Sequence, residues 1–183
     1  MIIGIVGISG SGKDTVAKHI RDKYNIPMIV SYTTREMRRG EKNGREHWFI
    51  SKEYMKFLME HNNIIAYTKN DKTGVEYCAT LDDITRDIVY IINPEGIRWL
   101  KKNNPEIEVK TLMIEVDRTR SESRQSSRGD DEKKAKERLD SEIEEFLEFQ
   151  NNEEYDKLIV NNKDLDFLFN QVDLALQQLG VNV

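Results

Sequence analysis

At 183 residues the chain is long enough for one domain with a full hydrophobic core, and no second core is needed. Its 28 basic and 33 acidic residues leave a net charge of −5, so no general attraction to nucleic acid or to an anionic membrane is expected, and an anion site has to be a local cluster. A single cysteine, Cys78, excludes an intrachain disulfide and suits a reducing compartment, and the N-terminal apolar run lacks the length and basic start of a signal peptide, so a soluble, cytoplasmic protein is expected.

The chain opens with Met1-Ile2-Ile3-Gly4-Ile5-Val6, a β-branched run that reads as a buried strand. Gly7-Ile8-Ser9-Gly10-Ser11-Gly12-Lys13-Asp14-Thr15 follows, and Thr15 to Ile20 resumes at helical spacing. Strand, glycine-rich loop and helix in this order are the context of a phosphate-binding P-loop. Its backbone N–H groups and helix N-terminus meet phosphate oxygens, and Lys13 reaches the β- and γ-phosphates. The match to G-x-x-x-x-G-K-[ST] breaks only at Asp14, which stands where a Mg²⁺-binding hydroxyl belongs. Either Asp14 binds Mg²⁺, directly or through water and with Thr15 on the α- or β-phosphate, or it only favours the helix N-terminus.

The first helix runs to about Tyr24, and Pro27 to Tyr32 reads as a second buried strand, giving a strand–helix–strand unit of α/β type. The polar segment that follows carries Arg35, Arg38, Arg39 and Arg45, an anion-binding candidate in an acidic protein, with a solvated basic loop as the other reading. Ser51 is expected to cap a helix from Lys52 to His61 with Tyr54, Phe57 and Leu58 on its core face. Residues 64–68 and 75–79 read as an antiparallel pair of strands, Cys78 being a half-buried strand residue and not a nucleophile.

Residues 87–92 form a nearly continuous apolar run, hence a central parallel strand, leading through Asn93-Pro94-Glu95-Gly96 into a helix that ends near Lys102. Residues 109–116 supply another strand, after which Arg120, Arg124 and Arg128 recur every four residues on one helix face. Most of the charge in 130–148 is expected on a solvated face, with Leu139, Ile143, Phe146 and Leu147 turned inward. Residues 158–162 are the last strand, and 164–179 a closing amphipathic helix.

The segment Ser31-Tyr32-Thr33-Thr34-Arg35-Glu36-Met37-Arg38-Arg39-Gly40-Glu41, together with the P-loop, resembles the guanylate kinases, and the likeness runs through nearly the whole chain. It implies an α/β P-loop kinase with a parallel-sheet core (1–32, 81–117, 139–183), an inserted β-rich acceptor lobe (33–80) and a helical lid (118–138). It further implies transfer of a phosphoryl group from ATP, with Mg²⁺, to a nucleoside monophosphate, GMP or dGMP first. Gly7, Ser9, Gly10, Ser11, Gly12, Lys13, Asp14, Thr15 and Asn161 would hold ATP. Ser31, Arg35, Arg38, His47, Tyr77, Thr80 and Asn93 would hold the acceptor, His47 replacing the family's tyrosine. Lys13, Arg124, Arg128 and Arg138 would neutralise the transferring group. The family's base-reading glutamate falls on Ala66 and its aspartate on Asn93, while Ile91 replaces a second acid; Glu76 is the candidate substitute if the register shifts. A same-fold kinase for another nucleotide or a phosphosugar, and a silent interaction module, stay open at this point.

Overall fold

The computed structural model describes residues 1–38, 40–61, 64–71, 73–84, 86–127 and 132–181, leaving aside the side chains at 83, 127, 132–135, 138 and 141. β1 (Ile2–Val6) is buried along its whole length and lies between β6 (Ile88–Ile91) and β7 (Val109–Glu115), with β8 (Lys157–Val160) beyond. All pairs in this four-stranded sheet are parallel, as expected where helices cover both faces and strands are apolar throughout. Helices α1 (Lys13–Tyr24) and α6 (Leu165–Gln178) pack on one face through Val16, Ala17, Ile20, Leu168, Val172 and Leu176. On the other face, α3 (Pro94–Asn103) and α5 (Glu132–Asn151) bring Ile97, Leu100, Phe146 and Phe149 against Ile2, Val6 and Met113.

A second four-stranded sheet has the order β3 (Trp48–Phe49), β2 (Tyr32–Thr33), β5 (Glu76–Thr80), β4 (Ile64–Lys69). β4 and β5 are antiparallel, with a register shift between Ile64 and Ala66. Helix α2 (Lys52–His61) is capped by Ser51, whose Oγ accepts from the Tyr54 N–H at 3.1 Å. α4 (Arg118–Ser127) follows β7.

Several expectations are corrected. Residues 27–32 do not form one strand of the core sheet. Met28 makes an isolated parallel bridge to Val89, and the only regular strand there, β2, belongs to the second sheet. The Pro27 carbonyl accepts from the Val89 N–H and the Ile29 N–H donates to the Val89 carbonyl, each at 2.8 Å, so this segment touches the core sheet only at that one bridge. On α2 the buried pair is Met55 and Leu58, while Tyr54 and Phe57 are each 47% exposed and stack with one another, Phe57 also stacking with His61. Cys78 is fully buried rather than half-buried, and Leu147 of α5 is exposed while Phe149 is buried.

Candidate active site

The loop between β1 and α1 is shaped by its glycines. Gly10 and Gly12 have φ of 78° and 100°, the left-handed region that side chains avoid. A Cβ at Gly10 would stand 2.7 Å from the Ser121 carbonyl, and one at Gly12 would strike Asn161 Nδ2. Asn161 Nδ2 in turn donates to the Ser11 carbonyl at 2.7 Å, so the loop is clamped onto the end of β8. Arg124 joins this clamp from α4, donating to the carbonyls of Gly10 (3.2 Å) and Asn161 (3.4 Å).

Lys13, the first residue of α1, donates to the carbonyls of Gly7 (2.7 Å) and Ile8 (2.9 Å). The Ser9 N–H and hydroxyl both donate to the carboxylate of Glu142, at 2.7 and 2.8 Å. Ser11 is buried. Asp14 is exposed and Thr15 half-exposed in the first turn of α1, and neither lines the cavity described next.

A cavity of about 600 Å³ opens between the two sheets. Gly7 and Lys13 line it from the core. Ser31, Arg35, Arg38, His47 and Tyr77 line it from the second sheet and its loops, and Ala66, Ile91, Asn93, Glu95 and Glu145 close a further wall. Arg35 is held rigidly: its guanidinium grips Glu41 with two bonds of 2.8 and 2.7 Å and lies 5.1 Å from the Phe49 ring centre. Glu41 also accepts from the Arg38 N–H at 2.7 Å. The Arg35 bonds, with that backbone N–H, pull the Glu41 carboxyl down to about 2, so it stays charged and fixes both arginines. His47 Nδ1 and Ser31 Oγ are 3.0 Å apart. Burial, and next the positive charge of Arg35, hold the imidazole below its ordinary pKa, so it is neutral at pH 7 and serves as a hydrogen-bonding group.

Of the acceptor candidates, Ser31, Arg35, Arg38, His47, Tyr77 and Asn93 therefore share one cavity; Glu76 and Thr80 do not line it. Glu76 is half-buried, its carboxylate accepting at 2.6 Å from the hydroxyl of Tyr67, which does line the cavity. Thr80 is buried at the end of β5, paired with Ile64. Asn93 Oδ1 accepts from the Gly96 N–H at 3.0 Å as the cap of α3. Arg124 lies on the P-loop clamp and is absent from the cavity wall. Arg39, Arg128 and Gly129 lie outside the described residues, as does the side chain of Arg138, whose backbone is in α5. Arg45 turns to Glu46 and to the Gly40 carbonyl at the surface.

Three contributors were not expected from the sequence: Glu41, Glu142 and Glu145. Glu145 accepts from the Glu95 N–H at 3.0 Å at the start of α3, and burial raises its pKa. For Glu142 and Glu145 the signal was the helical spacing of α5. Glu142 falls three residues after Leu139 and four before Phe146, on the buried stripe, and a charge on such a stripe has something to answer.

Residues 1–179 match the family profile described as Guanylate kinase. The chain belongs to the guanylate kinase family. The guanylate kinase of Prochlorococcus marinus is 31% identical over 140 residues, 73% of this chain and 75% of that protein. That of Rickettsia prowazekii is 30% identical over 170 residues, 88% and 83% of the two chains. The crystal structure of guanylate kinase from Anaplasma phagocytophilum superposes with a TM-score of 0.68 over 97% of this chain and 85% of that one, at 21% identity, and so shares the fold. A family member with this P-loop and fold is a nucleoside monophosphate kinase, a transferase. No helix among the described residues is long and apolar enough to cross a membrane.

Proposed function

We propose that the chain transfers the γ-phosphoryl group of ATP to GMP or dGMP, giving ADP and the nucleoside diphosphate. The observation that carries this reading is a single cavity whose wall includes Lys13 and Gly7 on one side and Arg35, Arg38, His47 and Tyr77 on the other. A donor phosphate on the loop and an acceptor phosphate on the arginines would face each other there, and such transfer needs positioning and charge neutralisation, not a covalent nucleophile. Lys13 leaves its own loop carbonyls to meet the β- and γ-phosphates. Arg35, already braced by Glu41, and Arg38 take the acceptor phosphate, with neutral His47 and Tyr77 as further donors. Asp14 and Thr15 are hard oxygen donors at the open end of the loop, suited to a Mg²⁺ ion that travels on the nucleotide and keeps its waters. Bound there, the ion would neutralise phosphate charge. In this reading 33–80 act as the acceptor lobe and 118–138 as a lid on the core of 1–32, 81–117 and 139–183. Arg124, Arg128 and Arg138 then reach the transferring group on closure.

A second acceptor is favoured by one feature. Ala66 and Asn93 put no carboxylate at the two positions expected to accept from guanine N1–H and its amine, and the Asn93 oxygen already caps α3, so acceptance would fall to Glu95 or Glu145 on the same wall. A pocket whose partners for a base's polar groups are displaced discriminates less. The test is ADP release with a panel of monophosphates. GMP or dGMP should be the best acceptor, with AMP and CMP closer behind than carboxylate recognition allows. AMP or CMP turned over without GMP would move the assignment to another nucleotide. Turnover of a phosphosugar alone would take it out of nucleotides, and no ADP release from any acceptor would leave an interaction module.

A further inference from the structure

Ser9, at the crest of the P-loop, has all its polar groups engaged by the protein. Its N–H and hydroxyl donate to the two oxygens of Glu142, and its carbonyl accepts from Ser121 Oγ at 2.6 Å and Gln125 Nε2 at 3.4 Å. Glu142 belongs to α5 and lines the cavity beside Gly7 and Lys13. The N–H groups of such a loop form an anion hole, matched to oxygens of a phosphate. A carboxylate presents the same pair of charged acceptors, so one donor of that hole is already taken by an anion covalently tied to the chain. The Lys13 ammonium is meanwhile turned back onto the carbonyls of Gly7 and Ile8.

We infer that Glu142 is a tethered competitor for the donor's phosphate chain. Its carboxylate holds the Ser9 N–H and hydroxyl and has to leave when a polyphosphate enters, because two anions cannot share one N–H and repel at that distance. Leu139 and Phe146, buried on either side along the same stripe, keep α5 from turning, so release is a rotation of the Glu142 side chain about its own bonds. The residue therefore sets donor affinity without taking part in transfer. This inference rests on the reading of the loop as the donor-phosphate site.

Titration calorimetry with inorganic tripolyphosphate and with ATP tests it on the wild type, Glu142→Gln and Glu142→Ala, with Lys13→Ala as a control for the loop and adenosine as a ligand without phosphate. Glu142→Gln keeps the side chain's shape and loses its charge, so it remains informative if Glu142→Ala folds poorly. Both variants should bind tripolyphosphate and ATP about 10-fold more tightly than the wild type, with adenosine affinity unchanged. Affinity that is unchanged or lower would make the contact a plain clasp between α5 and the loop and overturn the inference. The loop reading is judged separately by Lys13→Ala: lost tripolyphosphate binding upholds it whatever Glu142 does. Undiminished binding overturns that reading and the inference with it.

Discussion

At the scale of single residues, charge decides the outcome. Lys13 is the one motif lysine on the cavity wall beside Gly7, and removing a group placed to neutralise developing charge costs on the order of 100- to 1000-fold in turnover. Lys13→Ala should show that loss in steady-state kinetics while melting near the wild-type temperature. More than about a tenth of wild-type turnover would contradict the site. Glu41 makes a complementary prediction. Its pKa of about 2 lies below the ordinary 4.5, so its charge stabilises the fold fully above about 4.5, and that stabilisation is lost as pH falls from there toward 2. Glu41→Gln should cost about 2 kcal/mol at pH 7 in urea unfolding, less than the full shift implies because solvent screens the pair. The gap from the wild type should close in the acid range. Because Arg35 loses its brace, the KM for the acceptor should rise more than kcat falls.

The elements divide into those that read correctly from local pattern and those whose face was set elsewhere. The termini of α3 and α6 follow their caps: Asn93 and Asp164 each accept from an N–H three residues on, at 3.0 and 2.8 Å. Asn93→Ala should cost about 1 kcal/mol in denaturant unfolding. Helix α2 is the opposite case. Its limits were legible, but its apolar residues outnumber the positions that the small third cluster can bury. That cluster takes Met55 and Leu58 and leaves Tyr54 and Phe57 outside. Met55→Ala should therefore cost about 2–5 kcal/mol, and Phe57→Ser within about 0.5 kcal/mol. Equal losses would put the sequence-based face back on the inside.

Across the whole molecule, the cavity lies between the two sheets, and any ligand that binds the folded chain alone raises its stability. ATP at about 100 times its Kd should add about 2.7 kcal/mol, roughly 5–10 °C in Tm for a chain of this size. Lys13→Ala should abolish most of that rise in a thermal melt. What the sequence alone determined was the P-loop between β1 and α1, the Arg35/Arg38 segment and the alternation of strands with helices. These are written in contiguous residues: glycines free to take positive φ, β-branched runs, caps and a basic cluster in an acidic chain. What only the tertiary structure decided was which side chains from distant segments meet. Glu142 reaches Ser9 across 133 positions, Glu76 is engaged by the Tyr67 hydroxyl, and Thr80 is buried at the end of its strand. A strand's or helix's pattern says that it has an inside. Which neighbour fills that inside, and so whether a carboxylate there is solvated or paired, is fixed by packing between elements far apart in the chain.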